Sequence, residues 1–274
     1  MSTRKNIWMC FYLVLTILSC NQKSLPQKKA YSFYHNSKIE YLKDSVVIKL
    51  NNPINAPLTY FLSTKSKTLK NILKSLDTIT LRPLQDSIIV LNFKNNGDKI
   101  NLKNVLGNPS LQINKYPIAL PFKNNSEYTI IQGYKGKFSH TRRYSYYAID
   151  FNLKIGDTIC ASDNGYVVGV LDKYSGYGNR EWMDYANFVT LYHPKSNLYT
   201  QYVHLKTNGS LVKVGDTVKI GQPIAISGMT GFTTIPHLHF NVLKATPTGL
   251  ISEKISFIEG YKGVNLKKND IVKK

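Results

Sequence analysis

Ser227-Gly228-Met229-Thr230-Gly231 and, four residues on, Pro236-His237-Leu238-His239-Phe240 form the stretch whose reading decides this chain. The run from Leu238 to Leu243 is apolar enough to be a strand. Side chains two apart in a strand share a face. His237 and His239 therefore project together, and Leu238 turns to the opposite side. Two imidazoles on one face suit a transition-metal ion or acid–base work. An isolated His-x-His is as readily an incidental surface pair, so the rest of the chain has to decide.

Working outward, five of the six histidines fall between Tyr128 and Lys244, where Gly becomes frequent. Strands are predicted at Gly165–Leu171, Asn187–Tyr192, Leu198–Leu205 and Pro223–Ser227. His204 stands in Tyr202-Val203-His204-Leu205, and the turns Val214-Gly215-Asp216 and Gly221-Gln222-Pro223 follow it. Upstream, His140 ends Phe138-Ser139-His140, and Asp150 lies ten residues later between Ile149 and Phe151. A carboxylate so flanked faces solvent by alternation or is buried and paired, because a buried unpaired carboxylate is very costly. Each of these residues alone is more often structural than a ligand. Four histidines and an Asp in one Gly-rich domain are a different matter. His193, just before Pro194, reads as a strand-to-turn residue and stays outside the candidate site.

The order His140, Asp150, His204, His237-Leu238-His239 resembles the LytM/lysostaphin-type zinc endopeptidases, the M23 peptidases. Asp150-Phe151 with the turn at Gly156-Asp157-Thr158, and Ala161-Ser162-Asp163-Asn164-Gly165-Tyr166-Val167-Val168, resemble that family's text. So do the two segments quoted first. The likeness runs from about residue 133 to 244. It implies an antiparallel β-sheet groove, zinc held by His140, Asp150 and His239, and peptide hydrolysis in peptidoglycan. His204 and His237 become the non-ligand pair, one for proton transfer and one for the oxyanion, in either order. Two His and one Asp leave one tetrahedral position open, as catalytic zinc requires. The ion would lower the pKa of a bound water toward about 7. Two departures stand out. His140 and Asp150 lie further apart than is usual in the family, and Ile235 precedes Pro236 where the family often has a small or polar residue. Tyr144 and Tyr146 lie near the first ligand as cleft candidates or ordinary aromatics. Arg142 and Arg143 beside them are candidates to meet substrate carboxylates, or are solvated loop charges.

The first half has a different texture. Ser45–Leu50, Leu58–Leu62 and Asp86–Phe93 read as strands, punctuated by Asn51-Asn52-Pro53, Ala56-Pro57 and Asn95-Asn96-Gly97-Asp98. This predicts a small Ig-like β-sandwich with no chemistry assigned. The expected fold class is mainly β. Expected divisions are a signal peptide with lipobox at 1–20, a tether at 21–30, the sandwich at 31–117, the peptidase-like domain at 118–250 and a basic tail at 251–274.

The chain carries 36 basic and 16 acidic residues, a net +20, which calls for a polyanionic partner. The N-terminus decides against nucleic acid. Arg4 and Lys5 precede an apolar run from Ile7 to Leu18, too short to span a membrane and suited to export. Ile17-Leu18-Ser19-Cys20 resembles a bacterial lipobox, which would anchor the exported protein in the envelope membrane through a lipid on Cys20. With Cys10 removed and Cys20 lipidated, Cys160 is the one remaining thiol, and its setting is that of a small buried hydrophobe. Two other function classes stay open at this level. One is a catalytically silent peptidoglycan binder or hydrolase activator. The other is an adhesion module with a closed structural zinc site.

Overall fold

A computed structural model describes residues 25–26, 35–94 and 97–274. The predicted export segment with Cys20, most of the tether and the Asn95-Asn96 turn lie outside the described residues. No described helix is long and apolar enough to cross a membrane.

The first region contains β1 (Lys38–Tyr41), β2 (Ser45–Asn51), β3 (Leu58–Thr64), α1 (Lys67–Leu73), β4 (Thr78–Leu81), β5 (Asp86–Asn92) and β6 (Ile100–Leu106). They form two antiparallel sheets, ordered β1-β2-β5 and β4-β3-β6. Alternation drives the layering. Val46, Ile48 and Leu50 of β2 point inward against Leu58, Tyr60 and Leu62 of β3. Full burial of each such side chain contributes roughly 1.5–3 kcal/mol. The result is a small β-sandwich, and its Ig-like type remains an expectation. The sequence pattern did not predict α1. Ser66 caps it by accepting from the Leu69 N–H, and it buries one apolar pair, Leu69 and Leu73. Seven residues with a single i,i+4 pair give too little periodicity to stand out.

The second region begins with β7 (Glu127–Gln132), β8 (Ile149–Phe151), β9 (Thr158–Cys160), β10 (Gly165–Leu171) and β11 (Tyr177–Gly178). A 3₁₀ turn at Arg180–Tyr185 leads to β12 (Phe188–His193), β13 (Leu198–Val203), β14 (Leu205–Ser210) and β15 (Thr217–Val218). The chain ends with β16 (Pro223–Ser227), β17 (Gly231–Phe232), β18 (Leu238–Thr246), β19 (Gly249–Ser252) and β20 (Ile271–Lys273). The main sheet runs β15-β10-β12-β13-β18-β8-β7-β20, with β19 also on β18. A second sheet, β14-β16-β9, lies over one of its faces. Between them pack Val167, Leu191, Tyr202 and Phe240 from the main sheet and Ile159, Leu205 and Ile224. Phe257, Leu266 and Val272 join this core, so residues 251–274 pack into the sheet region, and β20 pairs with β7. Cys160 is buried, and burial pushes its thiol up in pKa. This matches a packing role.

The other face of the main sheet does two things. Antiparallel pairing sets Val203 opposite His239, Gln201 opposite Asn241 and Tyr199 opposite Leu243. These residues share one face by the strand period of two. Tyr199 and Leu243 pack with Ile54 and Ala56 of the sandwich. The sandwich therefore rests on the same sheet face that carries His239, further along the strands. Gly107 sits so close to Tyr199 and Ala245 that any Cβ there would collide with them.

Candidate metal centre

Strand alternation builds the centre. In β8, Ile149 and Phe151 go to the core, which turns Asp150 to the opposite face. In β18, Leu238 and Phe240 go to the core and His239 turns out beside Asp150, its direct cross-strand partner. His140 arrives from the loop between β7 and β8. Its backbone N–H donates to the Gly136 carbonyl at 3.0 Å. Its Nδ1 pairs with the Gly133 carbonyl at 2.8 Å, so Nδ1 carries the proton and Nε2 is left with a lone pair.

Three atoms converge. His140 Nε2 lies 3.2 Å from Asp150 Oδ1 and 3.2 Å from His239 Nδ1, and the last two are 2.9 Å apart. Zinc with bonds of about 2.0–2.1 Å and tetrahedral angles has ligand-to-ligand edges of about 3.3 Å. The spacing thus fits one small cation. The donor set fits as well: an imidazole lone pair, a carboxylate and a second imidazole, all buried or nearly so. Among the described residues this is the one group of three such side chains within mutual ligand reach.

The electrostatics agree. Burial would raise the Asp150 carboxyl, but His140, His237 and His239 around it hold it well below the usual carboxylate range. Burial lowers His239. Burial also acts to lower His140, but Asp150 beside it outweighs this and leaves its pKa raised when no cation is bound. A dication competes with that proton for Nε2.

His204 and His237 flank this trio. His204 follows β13 with φ +67°, a left-handed conformation that costs a non-glycine residue about 1–3 kcal/mol. Its Nδ1 pairs with the Thr230 carbonyl at 2.7 Å. His237 Nδ1 pairs with the Ile235 carbonyl at 2.9 Å. In both rings the carbonyl fixes the tautomer, so Nε2 is the atom free to take a proton. The two rings are 4.5 Å apart between centroids, and His237 Nε2 is 3.9 Å from Asp150 Oδ1. Burial pushes His204 well below the ordinary histidine range, and His237 and His239 add to the effect. Its neutral form is strongly favoured.

Two cavities meet here. One, of about 380 Å³, is lined by Tyr144, Gln201, His204, His239 and Asn241. The other, of about 300 Å³, is lined by Gln132, Asp150, Ile235, His237 and Lys268. Phe138 and Phe232 stack at 5.0 Å, and Phe232 and Ser139 border both cavities. All five sequence-predicted site residues are thus brought together. Tyr144 lines the first cavity, whereas Tyr146 packs against Tyr147. Arg142 and Arg143 are exposed loop residues. His193 stands apart, bonded to the Asn164 carbonyl and the Thr200 hydroxyl. Sequence reasoning missed Gln132, which contacts Asp150 and ends β7. Its only signal was a polar residue closing an apolar run.

A mainly β groove in which two His and one Asp converge, with two further imidazoles beside them, is a candidate zinc site with acid–base groups at its edge. Residues 144–249 match the model of Peptidase family M23. His140 and Gln132 precede the matched segment. The chain is 34% identical to the peptidoglycan DD-endopeptidase ShyB of Vibrio cholerae over 133 residues, 47% of this chain and 27% of that protein. It is 38% identical to lysostaphin of Staphylococcus simulans over 95 residues, 35% of this chain and 17% of that protein. The solved catalytic domain of that lysostaphin aligns at 28% identity with a TM-score of 0.34, covering 47% of this chain and 88% of that domain. The chain therefore spans less than a third of the length of these two curated relatives.

Proposed function

We propose that this chain is a zinc-dependent endopeptidase that hydrolyses peptide bonds in peptidoglycan stem peptides or cross-bridges. The observation that carries the reading is the convergence of His140 Nε2, Asp150 Oδ1 and His239 Nδ1 within 3.2 Å of one another, beside two imidazoles whose tautomers are fixed. Zinc held there supplies Lewis acidity toward a carbonyl and lowers the pKa of a water to about 7. The chain's own residues supply the rest. His204 and His237 present Nε2 toward the open side, and each is placed to take or return a proton or to donate to an oxyanion. The relatives named for DD-endopeptidase activity and for lysostaphin support peptidoglycan as the substrate, and the net charge of +20 suits an anionic wall. An exported envelope location follows from that substrate, with the lipid anchor on Cys20 as the proposed means of attachment.

The test is digestion of purified sacculi with and without a zinc chelator, with mass spectrometry of the released muropeptides. New amine and carboxyl ends that vanish with the chelator and return with zinc support the reading. Intact sacculi in the presence of stoichiometric zinc would remove it.

A further inference from the structure

The pairing of β7 with β8 contains an irregularity beside the metal centre. Ile130 stands opposite Phe151, yet Gln132, not Ile131, stands opposite Asp150. One extra residue is accommodated in β7, which is a β-bulge. In a regular strand Gln132 would share the face of Ile130, which is fully buried in the core. The bulge turns it to the other face, and bulges commonly re-aim a side chain next to an active site.

The re-aimed amide is fully engaged. Nε2 donates to Asp150 Oδ2 at 2.9 Å and to Ser139 Oγ at 2.7 Å. Oε1 accepts from the Phe138 backbone N–H at 3.2 Å. Gly136 packs on the same side chain, and a Cβ there would collide with Gln132 Cγ. One side chain thus holds the carboxylate oxygen that does not face the trio, together with the two residues before His140.

We propose that Gln132 is the positioning residue of the metal centre: it locks Asp150 to present Oδ1 alone, and it pins the detached loop that delivers His140. This rests on the reading that His140, Asp150 and His239 hold zinc. The need is physical. Ten residues separate His140 from Asp150, so local backbone geometry does not fix one ligand against the other. An amide bridging both does. Hydrogen-bonded partners of metal ligands typically account for about 10–100-fold in metal affinity.

The test is zinc affinity, measured by competition with a chromophoric chelator on the full chain, together with the visible absorption of the cobalt-substituted protein. Gln132→Met keeps the length and loses the amide. We expect its zinc dissociation constant to rise by about 10–100-fold and its cobalt bands to shift, with thermal stability of the metal-free protein close to the parent's. Affinity within about twofold of the parent, with identical cobalt bands, overturns the proposal, since a side chain that orients a metal ligand by hydrogen bonding matters by far more. Should the Met variant fail to fold, Gln132→Asn is read in the same way, because its amide is too short to bridge Asp150 and Ser139 together. A parent chain that binds neither metal would remove the metal centre itself, a result distinct from an unchanged variant.

Discussion

The sandwich and the peptidase region are both β structures, yet they bury different things. Among the described residues before 118, only Asn52 and Thr59 are buried polar residues, and the core is otherwise Val, Ile, Leu and Tyr. The peptidase region buries His140, Asp150, His193, His204, His237, Asn241 and others. Buried polar groups are costly unless each is partnered. The first region avoids that cost. The second accepts it and meets it with a dense set of hydrogen bonds, which is what a functional site looks like when stability alone is not the criterion. The two regions are also joined, since the sandwich packs on the sheet face that carries the metal centre. It forms a fixed neighbour of the groove.

The comparison is tested most severely at His237. If the buried imidazoles serve chemistry, His237→Ala keeps zinc bound while peptidoglycan hydrolysis falls by about 10²–10⁴-fold. Metal content and turnover on the same preparation check this. Loss of zinc would mean that the roles of His237 and His239 are exchanged.

In the sandwich the opposite outcome is expected. Leu69 is fully buried on α1 against the sheets. Leu69→Ala should lower unfolding stability by about 2–5 kcal/mol through the cavity it leaves. Zinc affinity should stay as in the parent, as read by denaturant titration and chelator competition. A parallel fall in affinity would mean that the sandwich shapes the centre across the interface.

How much of this was legible in the sequence follows from the range of the interactions. Gly165–Leu171 and Pro223–Ser227 are strands with the limits that their apolar runs and turn residues predict. Asp150 and His239 were legible because each stands between two core-facing residues in a strand, so alternation alone turns them to one side. His140 was found through the family likeness and not through spacing, because a loop delivers it. Gln132 showed only as a polar residue closing an apolar run, and its turn toward Asp150 was not readable, since a bulge depends on the partner strand. The docking of the sandwich was equally hidden. It depends on Ile54, Ala56, Tyr199 and Leu243, residues remote in sequence whose types are ordinary.

His193 offers a smaller test within the polar region. It is buried, and burial lowers its pKa below the ordinary histidine value. As pH falls below about 6.5, the unfolded chain takes up the proton before the folded one does, so stability drops until the lower folded pKa is reached. The slope from this one group is at most about 1.4 kcal/mol per pH unit. His193→Gln removes it. Urea denaturation of parent and variant in chelator, from roughly pH 7.5 to 5.5, should show the parent losing more stability on acidification. Parallel pH profiles would count against a buried neutral imidazole.

The smallest effect lies at the junction of the two regions. Tyr199 is almost fully buried against the sandwich, and its hydroxyl has no hydrogen-bond partner among the described residues. With the Ser162 and Ser227 hydroxyls it is one of three exceptions, among the described residues, to the rule that polar groups buried in the second region are satisfied. A buried orphan donor costs about 1–3 kcal/mol, whereas the ring itself packs with Tyr192 at 5.0 Å between centroids. Tyr199→Phe keeps the ring and deletes the orphan. Stability should rise by about 1 kcal/mol in denaturant unfolding, with zinc affinity and turnover unchanged. A fall in stability would show that the hydroxyl is satisfied in solution, most simply by a water held between the sandwich and the sheet. The interface would then be a hydrated contact and not the dry one that the packing of Ile54, Ala56 and Leu243 implies.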